Sequence, residues 1–338
     1  MAITKHILLV AAVALCCCFS VINAGLWPDE TNTGYKKSPG YPGSLVSTCP
    51  STVVSNSVYK YCNYINGLYI GSSSQTVTNI TFIGCRFASN AVDDANVAVY
   101  GSAITFNYCT FEPKTTVEPT WSNPTARIKR TLSYQYGIDQ RAAGPLTVDH
   151  CDMWGFANGI QIGYSDLAGP LTIRHSWFHN LRQDGGGVDH TDALLENYGG
   201  LSHMVIDHNT ITGVGNTNGL GLQGDDAYQY ISITNNYFSG YAYMLNLGGH
   251  TLSSNMVFTG NVWGAEIKPG WGPVYDSVAF EVPNISTLNN QWQNNTIRVG
   301  AATPSTWMAT GNNGLYWWPT DINPSTKYVI IGHATDYI

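Results

Sequence analysis

The sequence predicts an all-β protein, a right-handed parallel β-helix of roughly 8–10 coils with a polar, asparagine-rich ladder, and three observations carry that prediction. An eight-residue pattern (apolar, x, apolar, x, x, small or polar, x, apolar) recurs at 80–87, 104–111, 146–153, 171–178, 204–211, 231–238, 256–263 and 290–297, and Asn290 alone breaks its apolar positions. The sixth position reads Cys85, Cys109, Cys151, Ser176, Asn209, Asn236, Asn261 and Asn295, at spacings of 24, 42, 25, 33, 27, 25 and 34 residues, as insertions into a shorter base repeat would give. Charged residues make up only 11% of the 338, against about a quarter in an average globular chain. Stacked coils favour that scarcity, because like charges on neighbouring strands repel.

Taken in chain order, the first segment is a leader. Lys5 precedes an apolar run over 7–22, and Asn23-Ala24 supply a small residue before Gly25, so residues 1–24 read as a secretory signal peptide. Its removal takes Lys5 away and moves the net charge from −7 to −8. The mature chain, 25–338, reads as a single domain with an N-terminal cap over about 25–65 and a C-terminal tail over about 300–338. It is expected to be extracellular, with no membrane span after cleavage, and the absence of a broad basic face excludes a nucleic-acid partner. Five cysteines remain; Cys49 and Cys62 are the expected disulfide, and an odd count leaves at least one free thiol.

Within each pattern, period-two alternation marks a strand with one buried face. A second strand family lies between the patterns: NGLYI (66–70), YGIDQ (136–140), NGIQI (158–162), DALLE (192–196), NGLGL (218–222) and YMLNL (243–247). Coils then stack about 4.8 Å apart, so equivalent residues form columns. The sixth column faces inward at a bend, where asparagines bond rung to rung, and the cysteines of the N-terminal coils suggest a drier corner there. His150, His175 and His208 share the fifth column with Asn235, and Asp149, Arg174 and Asp207 share the fourth. Both columns read as register-fixing ladders, or as a second binding face.

The mature start GLWPDETNTGY (25–35), HTDALLENYGG (190–200), YAYMLNLGG (241–249) and GNVWGAEIKPGWGPVYD (260–276) together resemble secreted β-helix proteins of the pectate-lyase-like superfamily, a group without a firmly assigned reaction. The likeness covers nearly the whole mature chain and implies the same fold. Where that group has His-x-Asp-Gly-Ile-Gln, this chain has His190-Thr191-Asp192-Ala193-Leu194-Leu195, without the Gln.

Seven of the nine histidines fall between His150 and His250. The loop 179–192 combines Gly185-Gly186-Gly187 with Arg182, Asp184, Asp189, His190 and Asp192, residue types that supply acids, bases or ligands for a divalent cation such as Ca2+; Asp184, Asp189 and Asp192 are the candidate ligands. Asp192 is also equivalent to Asn158 and Asn218, which makes it a turn-ladder residue as readily as a catalytic one. Outward positions of the second strand family carry Asp139, Gln161, Leu195, Gly221 and Asn246 in one column, and Arg141, Gly163, Asn197, Gln223 and Gly248 in the next. Amides beside glycines form a shallow groove suited to an extended sugar chain, with Tyr164 available to stack on a ring. The insertion 112–145, which holds Arg127, Lys129, Arg130 and Trp121, would form one wall.

Three functions stay open at this point. A lyase acting on uronate polysaccharide by β-elimination would use Arg182 or a bound cation to neutralise the carboxylate, His190 as base and Tyr198 as acid. A glycoside hydrolase would pair Asp192 with Asp189 or Glu196, since it needs two carboxylates about 5 to 9.5 Å apart. A non-catalytic glycan-binding or adhesion module would need neither. The sequence holds no Gly-x-Ser-x-Gly elbow, phosphate loop or Cys-x-x-Cys pair, which excludes the corresponding hydrolase, nucleotide and zinc-cluster readings.

Overall fold

A computed structural model describes residues 27–89, 95–114, 135–142, 144–162, 170–181, 190–196, 199, 201–213, 217–224, 226–247, 254–264, 272–276 and 291–293. Every named strand pairs in parallel with its counterpart on the neighbouring coils, in three sheets that together form a right-handed parallel β-helix. The first sheet stacks Ser57–Lys60, Thr78–Ile83, Ser102–Asn107, Leu146–Asp149, Leu171–Arg174, Ser202–Asp207, Gln229–Thr234 and Ser254–Thr259. The second runs from Asn63–Tyr64 through Arg86–Ser89 and onward to Val262–Gly264 and Gln291–Gln293. The third stacks Leu68–Ile70, Ala95–Val99, Tyr136–Gln140, Asn158–Ile162, Asp192–Glu196, Asn218–Leu222, Tyr243–Leu247 and Gly272–Asp276.

The columns follow from alternation. Ile80, Ile104, Leu146, Leu171, Met204 and Ile231 align as one interior column, and all are at most 1% exposed, so the pattern marks the core it predicts. The early coils fill the core with stacked rings: Phe82 on Phe106 at 5.2 Å and Phe87 on Phe111 at 5.0 Å between centroids. Later coils use Ile, Leu and Met in the same places. Each such side chain contributes about 1.5–3 kcal/mol of transfer free energy.

Between the first and second sheets the chain turns through a left-handed residue on eight coils of the described residues. Tyr61, Gly84, Tyr108, His150, His175, His208, Asn235 and Gly260 all have φ between 48° and 66°. Glycine, asparagine and histidine are the types that tolerate this region best, which explains why the fifth position is populated as it is. Rings in this column pack on one another: Tyr108 stacks on His150 at 4.5 Å, and His150 lies tilted against His175 at 4.6 Å. In the fourth column, burial works against ionisation of Asp149, but hydrogen bonds from His150, His175 and Arg174 prevail and hold its carboxyl well below the usual carboxylate range.

The next residue forms the ladder. Ser176 N–H donates to Asn209 Oδ1 (2.9 Å), Asn209 N–H to Asn236 Oδ1 (2.9 Å) and Asn236 N–H to Asn261 Oδ1 (3.0 Å). Each Nδ2 reaches back to a strand carbonyl, of Ile173, Ile206 and Ile233 in turn. Toward the N-terminus Ser176 Oγ accepts from Cys151 N–H at 3.0 Å, and thiol sulfurs take the acceptor role at 3.3–3.4 Å. The corner is no drier there: Cys85, Cys109 and Cys151 are 0–1% exposed and Asn209, Asn236 and Asn261 are 0%. Cys62 occupies the same column one coil earlier and is disulfide-bonded to Cys49, while Cys85, Cys109 and Cys151 are free and buried.

The stack begins one coil before the first pattern, at Ser57–Tyr64, where Ser57 stands in an apolar position and Lys60 faces out, so apolarity alone does not reveal it. The last pattern needs correction. Trp292, expected in the first sheet, pairs with Trp263 in the second, because Gln291-Trp292-Gln293 serves as the later strand of the coil. Asn295 lies outside the described residues, as do the leader, residues 115–134 of the insertion, and the tail.

The N-terminal segment runs across the coils as a strap. Trp27 stacks on His208 at 5.3 Å, Gly34 N–H donates to the His150 carbonyl at 3.0 Å, and Tyr61 Oη donates to the Pro39 carbonyl at 2.9 Å. It covers outward residues of the second sheet, including Thr110 and Tyr237, which are 4% and 6% exposed.

Candidate functional site

The third sheet is where the chain departs most from an apolar solenoid. Its outward column, Tyr69, Ala98, Asp139, Gln161, Leu195, Gly221 and Asn246, is in register as the strand alternation requires. It is largely buried: beyond Tyr69, which is 53% exposed, Ala98, Asp139, Gln161, Leu195 and Asn246 are all 8% exposed or less. Burial in such a column demands partners. Arg141 Nε donates to Asp139 Oδ2 at 2.5 Å and Nη1 to Tyr100 Oη at 3.1 Å, and Asn158 Nδ2 donates to Gln161 Oε1 at 3.1 Å. Asn246 Oδ1 is buried and has no hydrogen-bond partner. Gln223 is half-buried, and its N–H donates to the Glu196 carbonyl at 2.7 Å.

At the leading end of these strands a second polar ladder runs through Asn158, Asp192 and Asn218. Asn158 Oδ1 accepts the Asp192 N–H at 3.2 Å, and Asp192 Oδ1 accepts the Asn218 N–H and Nδ2 at 2.8 and 2.7 Å. Thr217 Oγ1 supplies a donor to Asp192 Oδ2 at 3.0 Å. Desolvation pushes the fully buried Asp192 up to about 6, against the pull of the Asn218 and Thr217 donors and of His190. Small residues keep this edge tight: a Cβ on Gly159 would stand 2.5 Å from the Ala193 carbonyl.

Asp192 is therefore enclosed, and its oxygens are taken up by protein donors. Of the candidate residues around it, His190 is exposed and close enough for its charge to act on Asp192. Thr191 between them is fully buried, with its N–H on Thr217 Oγ1 at 2.8 Å. Glu196 lies in an interior column between Ile162 and Leu222. Its Oε1 accepts the Gly199 N–H at 2.9 Å, and its Oε2 accepts the Gly224 N–H at 3.2 Å and the Tyr228 hydroxyl. A Cβ on Gly224 would collide with the Gly199 carbonyl and this carboxylate, so only glycine fits.

Hence Asp192 and Glu196, at opposite ends of one strand and both 0% exposed, do not form a carboxylate pair facing one sugar ring. Arg182, Asp184, Asp189, Tyr164, Asn197 and Tyr198 lie outside the described residues. The interior position of Glu196 is signalled by alternation from Leu194. Tyr100, the partner of Arg141, closes an alternating stretch (95–99) that belongs to the third sheet although its Ala-Asn start differs from the other members. Comparison of the chain with protein-family models, with curated proteins and with solved structures finds no match.

Proposed function

We propose that this is a secreted, polysaccharide-active β-helix of the pectate-lyase-like superfamily, which holds an extended uronate-containing chain along the outward face of the third sheet and cleaves it by β-elimination. The observation that carries the reading is the Asn246 carbonyl oxygen, buried and without a donor, in one column with Asp139 and Gln161. A sugar hydroxyl supplies the missing donor, and a polymer offers further hydroxyls along a face that also carries Asp139 and Gln161.

The chemistry assigned to the site needs three groups. An exposed imidazole, His190, removes the proton at C5; the electron pair forms the C4=C5 double bond, and the bond from C4 to the leaving oxygen breaks. That oxygen takes its proton from Tyr198, and Arg182 or a divalent cation at Asp184 and Asp189 neutralises the uronate carboxylate. Asp192 and Glu196 act as scaffold in this scheme, since their oxygens are committed to protein donors. The same commitment favours a second reading over a hydrolase, a glycan-binding module without catalysis.

The test is incubation of the full chain with a panel of uronate and neutral polysaccharides, followed by ultraviolet absorbance of unsaturated ends and by a reducing-end assay. Unsaturated ends are expected. Reducing ends alone identify a hydrolase, binding without either product identifies the binding module, and neither binding nor cleavage on a broad panel overturns the polysaccharide reading.

A further inference from the structure

We propose that Asp149, His150 and His175 form a binding site for a divalent transition-metal ion, Zn2+ or Cu2+, on the corner between the first and second sheets, remote from the third-sheet face. The donor atoms of the three side chains lie within 4.8 Å of one another. His150 Nδ1 and His175 Nδ1 stand 2.7 and 3.0 Å from the same atom, Asp149 Oδ1. Both histidines are held on consecutive coils in the left-handed region, at φ 52° and 48°, so the backbone fixes where their rings project. The site is reachable, with the two imidazoles 31% and 36% exposed.

The donor set decides the ion. Two imidazole nitrogens and one carboxylate oxygen suit borderline ions such as Zn2+ and Cu2+. Ca2+ and Mg2+ demand shells of oxygen and are disfavoured. The ion takes the place of protons between Nδ1 and Oδ1, with small ring rotations opening the gap to accept bonds of about 2.0–2.2 Å. Arg174 donates to the other carboxylate oxygen, Nε at 3.0 Å and Nη2 at 2.9 Å, and so orients Asp149 without occupying Oδ1. A ligating carboxylate is ordinarily braced from outside in this way. Positions not filled by these three side chains face solvent, where water or an external ligand completes the shell.

The experiment titrates the untagged full chain with ZnCl2 in a calorimeter, repeats it with CuCl2 under electron paramagnetic resonance, and compares His150→Asn and His175→Asn. Asparagine keeps the fold because Asn235 already occupies this column at φ 53°; circular dichroism checks each variant. One equivalent of Zn2+ is expected on the wild type, affinity at least tenfold weaker in each variant, nitrogen hyperfine structure on the Cu2+ signal, and a Zn2+-dependent rise in melting temperature that both variants lose. His203→Asn, in a different column, is expected to bind as the wild type does. No uptake of either ion by the wild type, or unchanged affinity in both folded variants, overturns the proposal.

Discussion

The corner between the first and second sheets and the leading edge of the third sheet are both polar ladders, but they use polarity differently. At the corner, Asn209, Asn236 and Asn261 repeat the same bonds coil after coil, and Asn236 meets an identical partner above and below. At the third sheet the repeat is broken: Asp192 interrupts two asparagines, Glu196 interrupts an aliphatic column, and Asn246 keeps an oxygen without a donor. A regular column reports what the fold needs. Departures from regularity, placed where the next coil does not require them, are where function is to be sought, and two of the three prove to be internal struts.

The largest expected effect lies at the corner. Asn236→Ala removes the acceptor of Asn209 and the donor to the Ile206 carbonyl in a fully buried ladder, and should cost roughly 2–5 kcal/mol in denaturant unfolding. A cost below about 1 kcal/mol would mean that the ladder contributes little to stability. Next comes Glu196→Leu, which matches Ile162 and Leu222 in the column but leaves two glycine N–H groups and the Tyr228 hydroxyl without an acceptor. Destabilisation of about 2–4 kcal/mol is expected. A stable variant that has lost activity would return Glu196 to the active site.

Asp192→Asn is a smaller perturbation, and its size depends on pH. The carboxyl has a folded-state value of about 6, above its ordinary range, so its contribution is fully present below about pH 4 and is lost as pH rises through 6. Asparagine, already found at positions 158 and 218 of the same ladder, removes that loss. The variant should therefore gain on the order of 3 kcal/mol relative to the wild type at pH 7.5 and almost nothing at pH 4, read from melting curves at both values. His190→Ala, on an exposed side chain, should change stability by less than about 0.5 kcal/mol.

The sequence makes the corner almost entirely legible, because few folds other than a solenoid place identical residues at coil spacing. Alternation fixes the faces of the third sheet just as well, and with them the outward column from Asp139 to Asn246. What alternation does not encode is long-range contact. Trp27 reaches His208 across most of the chain, and Tyr228 closes on Glu196 from a loop, with no local pattern announcing either. Trp292 joins the second sheet rather than the first because one apolar residue between two polar ones fits either strand of a coil. The chemical type of Asp192 and Glu196 marks them as candidates; their burial depends on glycines and loop closures that only the fold supplies.

The central claim is that chemistry resides on the exposed imidazole while the carboxylates beside it are scaffold. It is tested most directly by the rate at which unsaturated uronate ends appear with wild type, His190→Ala and Asp192→Asn, all verified as folded. The account predicts loss of the rate in His190→Ala and its retention in Asp192→Asn. Retention in His190→Ala together with loss in Asp192→Asn would contradict it.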